Sequence, residues 1–396
     1  MAANMARATR ALTDLLDKIA STQKYKDSVI KLKPINSKGA NYTSQLFGVT
    51  ISDETKPDLN LFAKVAIIGE KVRTQGICKV FDTEHYMYTK LIPIYRKIEE
   101  RQNVPEEHRL QMAEYYGCTT KEYEEVLVLE DLTAEGYEVR DRLKELDWKF
   151  AAAAVTELAK IHSLSFAYGI ENPEDFEQSC VMLNVAMNND DAMNVVWRRI
   201  ANKAIEMTVD KNKEWMQNFL MNYGGQTLLE YAKPLRRPAL IHGDFRVSNM
   251  MQKFDENGQV HVKIVDYQTV QAASPIIDLL YFIFSSSSEE FRAQYYDKLI
   301  EHYYTQLSLA IKRIGYDPKE VYSREDFDFE YKKVKTAIWA ARCRVHSTAG
   351  DHRRGERAQD GRRHGYLQIQ YGKQERPLPR ETQRCSQRLH TLGGDM

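Results

Sequence analysis

The chain has 396 residues, which is long enough to bury a large core, and its 56 basic residues balance 56 acidic residues. Because the formal net charge is zero, nothing at the level of the whole chain attracts nucleic acid or acidic membranes, and we expect no specific nucleic-acid partner. The five cysteines are scattered and lack CxxC spacing, which argues against a disulfide framework or a zinc site and favours a reducing, cytoplasmic compartment.

The hydropathy pattern predicts neither a targeting segment nor a membrane span. Residues 1–26 lack the continuous apolar run of a signal peptide. The longest apolar run, residues 276–284, is too short to cross a bilayer. We therefore expect a soluble protein without a membrane partner.

The N-terminal part of the sequence predicts one helix followed by an antiparallel sheet. Apolar residues recur at helical spacing over residues 11–19, which indicates an amphipathic helix. These residues are Leu12, Leu15, Leu16 and Ile19. Apolar segments then predict strands at residues 30–35, 45–52, 59–68, 112–116 and 125–129.

The segment between the first two predicted strands, residues 37–44, is rich in turn-forming residues. It contains Gly39, whose lack of a side chain would let backbone N–H groups approach phosphate oxygens. The same segment could do no more than connect two strands. The residues alone leave both interpretations open.

A lysine lies among the apolar residues of the third predicted strand. Burying the Lys64 ammonium is costly unless it is paired, so we expect an anionic partner. Glu84 lies on the next predicted helix, residues 79–97, and kinases pair such a lysine with a helix glutamate to hold the nucleotide phosphates. Lys64 could instead protect a sheet edge, and Glu84 could be a solvated helix charge.

The fifth predicted strand runs into an acidic, glycine-containing segment that suits a hinge between two lobes. Backbone groups between Glu130 and Leu132 would be placed to pair with the edge of an adenine base. We therefore predict a nucleotide-binding lobe over residues 1–132 and a helical lobe over residues 133–341. His162, on a predicted core helix of the second lobe, is either a packed core residue or a ligand.

One stretch of the second lobe carries the groups that phosphoryl transfer requires. Asp244 and Asn249 lie five residues apart in a loop, and Asp266 ends the hydrophobic strand of the hairpin that follows. In kinases the first carboxylate orients the hydroxyl nucleophile, while the amide and the second carboxylate hold Mg²⁺ on the nucleotide phosphates. An Asn-Gly turn predicts the hairpin, with strands at residues 250–254 and 260–265.

A further aspartate follows this stretch. Asp278 lies within the apolar run of residues 276–284, which predicts a helix, so its carboxylate should be paired. Either it accepts hydrogen bonds from backbone N–H groups of the loop that contains Asp244, or it interacts with the dipole at the start of its helix.

The composition changes abruptly at residue 342. Residues 342–396 hold eleven arginines, one lysine and six acidic residues, which gives them a charge of +6 and leaves −6 for residues 1–341. Without apolar periodicity this tail cannot bury enough surface to offset the entropy of ordering, so we expect disorder. It is either a basic interaction tail or the product of a shifted reading frame, and we favour the second interpretation.

Together these segments resemble the ecdysteroid kinase-like family of insects, also called CHK kinase-like, within the wider group of choline and aminoglycoside kinases. The resemblance runs from residue 35 to about residue 340. Its motifs lie at residues 38–44, 62–64, 81–88, 128–132, 158–162, 242–249 and 266–268. Gln268, which stands where protein kinases have a glycine, points to this family in particular. Residues 245–248 depart from the family, which more often has an aromatic residue and a second asparagine there.

The resemblance implies an α+β, bilobal protein kinase-like fold, with an N-terminal antiparallel sheet lobe and a helical C-terminal lobe. It implies an ATP- and Mg²⁺-dependent kinase that phosphorylates a hydroxyl group of a small molecule, by resemblance an ecdysteroid. The catalytic residues would be Asp244, Lys64 and Glu84. The nucleotide-binding residues would be Gly39, Asn41, Ser44, Lys64, Glu130 and Leu132. The Mg²⁺ ligands would be Asn249 and Asp266.

Two other functions compete with this one. The chain could be a catalytically inactive pseudokinase or a binding scaffold, because the basic tail stands where the family has its final helices. A protein kinase is disfavoured, because the helix beginning at Pro275 follows Asp266 too closely to leave room for an activation loop.

Overall fold

The computed structural model describes residues 2–35, 44–67, 79–141, 144–183 and 236–335, together with scattered positions between 202 and 218. Two predicted nucleotide-binding residues, Gly39 and Asn41, lie outside the described residues. So does the basic tail over residues 342–396.

A helix and a five-stranded antiparallel sheet form the N-terminal lobe, as the sequence predicts. The strand order is β1-β2-β3-β5-β4, so β3 lies at the centre of the sheet and β1 at its edge. The elements are α1 (Ala2–Thr22), β1 (Val29–Ile35), β2 (Ser44–Asp53), β3 (Lys56–Ala66), β4 (Tyr115–Thr119) and β5 (Val126–Glu130).

The amphipathic face of α1 covers one face of this sheet. Leu12 and Leu16 are fully buried, and they belong to one apolar cluster with Ile51 of β2 and Leu61 of β3. The predicted spacing of leucines therefore holds α1 against the sheet through burial of apolar surface, which contributes about 25 cal/mol for each Å² removed from water.

A helix with a π-helical turn lies between β3 and β4 in the chain and packs against the second lobe. It consists of α2 (Lys79–Tyr86), a π-helical segment (Met87–Leu91) and α3 (Ile92–Arg101). The segment buries Tyr88 in the large apolar cluster that continues into the second lobe. Single π-helical turns of this kind often lie near functional sites.

The second lobe is built around α4, whose length is buried almost throughout. Its helices are α4 (Trp148–Glu171), α5 (Pro173–Met182), α6 (Ile276–Ser286), α7 (Glu289–Arg313), α8 (Pro318–Val321) and α9, which covers residues 324–335. Asp147 caps α4 by accepting a hydrogen bond of 2.9 Å from the backbone N–H of Phe150. No helix in the described part of the chain combines the length and apolarity that spanning a bilayer requires.

Short strands lie on this helical layer and carry the predicted site. They are β6 (Glu138–Val139), β7 (Ala239–Ile241), β8 (Met250–Phe254), β9 (Val260–Ile264) and β10 (Gln271–Ala273). The β8–β9 hairpin is the one predicted, with Met250 opposite Ile264 and Phe254 opposite Val260. Its turn places Gly258 at φ +71°, which suits the predicted Asn-Gly sequence.

The strand predicted at residues 112–116 is present, but its predicted start was wrong, because β4 begins only at Tyr115 and continues to Thr119. Met112 and Ala113 are buried without strand structure, in the large apolar cluster. The Met112 sulfur accepts a hydrogen bond of 3.1 Å from the Tyr267 hydroxyl. A short apolar run thus reflected burial against the second lobe rather than pairing in a sheet.

Candidate active site

Lys64 lies on β3 opposite Leu127 of β5, and its side chain is buried. Its Nζ donates hydrogen bonds to Glu84 Oε2 at 2.8 Å and to Asp266 Oδ1 at 2.7 Å. A buried lysine requires an anionic partner, and Lys64 has two, Glu84 and Asp266. These contacts join the sheet, helix α2 and the segment after β9.

Burial and the charges of Lys64, Glu84 and Asp266 together determine whether the pKa of each group is raised or lowered. Burial alone would lower the pKa of Lys64, but attraction by Glu84 and Asp266 outweighs it and the pKa is raised. Burial raises the pKa of Glu84 despite the attraction of Lys64. The pKa of Asp266 is lowered, because Lys64 offsets the effect of burial. Lys64 therefore stays charged in the folded protein.

Asp266 sits in an uncommon backbone conformation at the end of the hairpin. Its φ of +68° lies in the left-handed region, where aspartate is better tolerated than most residues. The preceding N–H, of Val265, donates to the Asn249 carbonyl at 3.0 Å, and the following N–H, of Tyr267, donates to Glu84. The turn thus aims Asp266 at Lys64 while its side chain remains 34% exposed.

The loop after β7 is held by a fully buried carboxylate. Asp278 of α6 accepts hydrogen bonds from the backbone N–H groups of His242 at 2.6 Å and Gly243 at 2.9 Å. Asp278 therefore has the first of its two expected roles, in which its carboxylate accepts hydrogen bonds from backbone N–H groups of the loop that contains Asp244. Gly243 has φ +82°, and a Cβ on it would lie 2.3 Å from the Thr269 carbonyl oxygen, so no larger residue fits.

Asp244, the next residue of this loop, has hydrogen-bond donors on both carboxylate oxygens. Oδ1 accepts from the Tyr281 hydroxyl at 2.9 Å. Oδ2 accepts from Asn249 Nδ2 at 2.9 Å and from Arg246 Nε at 3.1 Å. The carboxylate is therefore fixed in orientation, yet it remains 25% exposed and accessible to a substrate.

Asn249 and Asp266 fit the requirements of a bound Mg²⁺. Among the described residues no group of three or more His, Cys, Asp or Glu side chains could hold a metal ion. Mg²⁺ is usually bound by one or two protein oxygens plus substrate phosphates and water, so an amide and a carboxylate suffice. The Val265–Asn249 backbone hydrogen bond ties the two positions together at the base of the hairpin.

The remaining predicted nucleotide contacts are more dispersed. Ser44 begins β2 opposite Ala66, and its buried Oγ has no hydrogen-bond partner within the described residues, which leaves room for a ligand oxygen. Glu130 accepts a hydrogen bond of 3.2 Å from Lys263 Nζ, and this contact connects the hinge to β9. The Leu132 side chain is buried in the large apolar cluster.

His162 is a packed core residue, the first of its two expected roles. It is fully buried, and its Nδ1 lies 2.7 Å from the Tyr303 hydroxyl. Its Nε2 lies 3.4 Å from Asp278 Oδ2 but makes no hydrogen bond of good geometry. His162 therefore supports the helix that holds the loop and does not reach a ligand.

The sequence did not single out two residues that contact Asp244. Tyr281 lies three residues after Asp278, one turn along α6, so both face the same loop. That spacing was a signal that could have identified Tyr281. Arg246 is a charged residue in the apolar loop of Phe245 and Val247, but its contact with Asp244 depends on the loop conformation, which the sequence does not specify.

Comparisons with known proteins place the chain in a family. Residues 38–316, more than two-thirds of the chain, match the model of the ecdysteroid kinase-like family. A search of curated proteins found no significant match.

Solved structures similar to this one have low sequence identity. The GDP complex of wild-type aminoglycoside 2'-phosphotransferase-IIIa is 11% identical, with a TM-score of 0.41, over 86% of this chain and 93% of that chain. Glucosamine kinase in complex with glucosamine, ADP and inorganic phosphate is 11% identical, with a TM-score of 0.33, over 84% of this chain and 83% of that chain. With its family match over residues 38–316, this chain belongs to the ecdysteroid kinase-like family, and it is a small-molecule phosphotransferase that acts on a hydroxyl group.

Proposed function

We propose that the chain transfers the γ-phosphoryl group of ATP, bound with Mg²⁺, to a hydroxyl group of a small molecule. The observation that carries this proposal is the buried Lys64 ammonium in contact with both Glu84 and Asp266. A cation held in this way keeps its charge and has a fixed position, which is what neutralising the α- and β-phosphates requires.

Asp244 would orient the acceptor hydroxyl and take its proton. Tyr281 and Asn249 hold the carboxylate from opposite sides, so it does not need to reorganise when the acceptor binds. Its partial exposure supports direct access by the acceptor. A positioned base of this kind contributes about 10²- to 10⁴-fold to the rate.

Asn249 and Asp266 would hold Mg²⁺ through the amide and carboxylate oxygens. The bound ion would neutralise charge on the phosphate oxygens. Asp266 would keep one oxygen on Lys64, as it does in this structure, and present the other to the ion. Ser44, with its unpartnered buried hydroxyl, would contact the nucleotide together with Gly39 and Asn41.

An ecdysteroid, or another steroid with a free hydroxyl group, is the acceptor that the family suggests. The backbone between Glu130 and Leu132 would receive the adenine, and the protein would act in the cytoplasm. Kanamycin and glucosamine, each present in the complex of a similar solved structure, are polar alcohols and amines and would serve as comparison compounds.

The thermal stability of the protein with ATP, measured with and without Mg²⁺, tests the proposal. We expect Mg·ATP at about 100 times its Kd to add about 2.7 kcal/mol to the free energy of unfolding of the wild type. Asp266→Asn should lose most of this gain. Asp255→Asn is a matched control, because Asp255 is exposed to a similar degree, 32% against 34%, but lies at the hairpin turn. An unchanged melting temperature of the wild type at saturating Mg·ATP would contradict the proposal.

A further inference from the structure

Arg246 is an exposed cation placed beside the Asp244 carboxylate of the candidate site. Its Nε donates to Asp244 Oδ2 at 3.1 Å, and its side chain is 46% exposed. Although partial burial opposes it, attraction by Asp244 raises the pKa of Arg246. The guanidinium therefore stays charged in contact with the proposed base.

The loop does not need this guanidinium for its own structure. Asp278 holds the backbone at His242 and Gly243, and the Ser286 hydroxyl accepts from the Val247 N–H at 3.2 Å. Asn249 and Tyr281 also donate to the Asp244 carboxylate, one to each oxygen, so its orientation does not depend on Arg246 alone. Within the described residues, Nε makes the one hydrogen bond of the guanidinium, so both Nη groups are available to a ligand.

We infer that Arg246 is a further catalytic residue, whose Nη groups bind the oxygens of the phosphoryl group during transfer. This inference rests on the proposed function. The transferring group must lie next to the acceptor at Asp244, and the Arg246 guanidinium lies beside that carboxylate. A guanidinium has five N–H donors in a planar fork, so Nε can remain on Asp244 while the Nη groups contact phosphate oxygens.

The step that Arg246 assists is an in-line displacement. The acceptor oxygen forms a bond to the γ-phosphorus, and the bond from that phosphorus to the bridging β–γ oxygen breaks. The electron pair of the broken bond stays on ADP, and the acceptor proton goes to Asp244. Negative charge is spread over the equatorial oxygens in the transition state, and an arginine finger that stabilises this charge accelerates GTP hydrolysis by GTPases by about 10³- to 10⁵-fold.

Binding of Mg·ADP, with and without aluminium fluoride, tests this role without knowledge of the acceptor. Aluminium fluoride imitates the phosphoryl group in the transition state of transfer, so it should tighten ADP binding to the wild type. We expect aluminium fluoride to tighten ADP binding to Arg246→Met by a factor at least about 100 times smaller than for the wild type. The Kd of Mg·ADP alone should be the same for both proteins. Arg246→Lys should recover part of it, because the charge remains but the planar fork is lost. The rate of ATP hydrolysis by water should be highest for the wild type, lower for Arg246→Lys and lowest for Arg246→Met.

Arg236→Met is the matched control, because Arg236 is also 46% exposed and also pairs with an aspartate, Asp326, outside the site. It should retain the aluminium fluoride effect. If Arg246→Met binds Mg·ADP with aluminium fluoride as tightly as the wild type does, Arg246 only positions Asp244 and the inference is wrong. If the wild type binds no Mg·ADP at all, the proposed function itself fails, and the two failures are thereby told apart.

Discussion

The side-chain amide of Asn249 donates to Asp244 twice, to its carboxylate and to its backbone carbonyl, each at 2.9 Å. One amide thus fixes both the direction of the proposed base and the loop that carries it. Because the Asn249 carbonyl also accepts from the Val265 N–H, the same residue connects this loop to the segment after β9 that carries Asp266. Asn249 therefore connects the proposed acceptor side of the site to the proposed Mg²⁺ side.

Replacing this amide should affect both sides of the site. We expect Asn249→Ala to lower kcat by at least about 100-fold, because the Asp244 carboxylate loses a donor and the loop loses a constraint. The variant should also require more Mg²⁺ for nucleotide binding. Ser248→Ala is the control, since Ser248 is exposed and its hydroxyl makes only a long contact of 3.4 Å with Asn249. Steady-state kinetics with varied Mg²⁺ check this, and an unchanged Mg²⁺ requirement would contradict the metal role.

Removal of the Lys64 ammonium should abolish nucleotide binding as well as lower stability. Lys64→Met leaves Glu84 and Asp266 together without their cation, which should cost about 3–5 kcal/mol of unfolding free energy. Lys160→Met is matched to it, because Lys160 is similarly buried, with 9% of its side chain exposed against 7%, and is paired with Glu157 at 2.6 Å.

Denaturant unfolding and calorimetric titration with Mg·ATP separate the two effects. Both variants should lose stability to a similar extent, but Lys160→Met should still bind the nucleotide. Equal nucleotide affinity in the two variants would show that Lys64 has a structural role alone.

Two glycines with similar backbone conformations should respond very differently to a methyl group. Gly243 and Gly258 have φ +82° and +71°, but a Cβ on Gly243 meets the Thr269 carbonyl oxygen at 2.3 Å, whereas one on Gly258 meets nothing within 4 Å. Gly258→Ala should cost about 1–2 kcal/mol, the strain of the left-handed conformation alone. Gly243→Ala should cost more and should lower kcat, because the loop that carries Asp244 must shift. Similar unfolding free energies of the two variants would contradict this account of the loop.

A buried glutamate away from the site should make stability depend on pH. Burial raises the pKa of Glu99 from 4.5 to about 7, although the Leu110 N–H donates to it at 2.7 Å and Lys160 lies nearby. The folded state therefore retains a proton that the unfolded state releases, so this group lowers stability as pH rises from 4.5 to 7. The loss should total about 3 kcal/mol and should be complete above pH 7.

Glu99→Gln should remove this dependence, because the amide keeps the acceptor oxygen but cannot ionise. We expect the variant to match the wild type near pH 4.5 and to be more stable at pH 8. Glu100→Gln, which changes an exposed neighbour on the same helix, should have little effect at either pH. Urea unfolding over this pH range measures the free energy of unfolding of each protein. If the difference in this free energy between Glu99→Gln and the wild type does not change with pH, the assigned effect of burial on Glu99 is contradicted.

The parts of the fold that the sequence predicted are those set by local chemistry. The β8–β9 hairpin depends on a turn that contains an Asn-Gly pair and on short apolar strands, and both strands and the position of the turn were predicted. The amphipathic spacing of α1 likewise follows from which residues must be buried. In contrast, Met112 was assigned to a strand because an apolar run does not reveal whether it pairs in a sheet or packs against Tyr267.

The same distinction applies to the candidate site. That Lys64 requires an anionic partner follows from the cost of burying an ammonium, and the structure supplies Glu84 and Asp266. The contact of Tyr281 with Asp244 spans 37 residues and depends on how α6 packs against the loop, so the spacing of Tyr281 from Asp278 indicates a shared helix face but not this hydrogen bond. Tertiary packing therefore determined what the sequence could not predict.

The central claim is that Asp244 acts on an acceptor hydroxyl beside a nucleotide held by Lys64 and Asp266. Its most direct test compares wild type and Asp244→Asn for ATP consumption in the presence of an ecdysteroid, with Mg·ATP affinity measured in parallel. We predict that the variant binds Mg·ATP as the wild type does but phosphorylates the acceptor at least about 100-fold more slowly. Equal rates for the two proteins, at equal nucleotide affinity, would contradict the account.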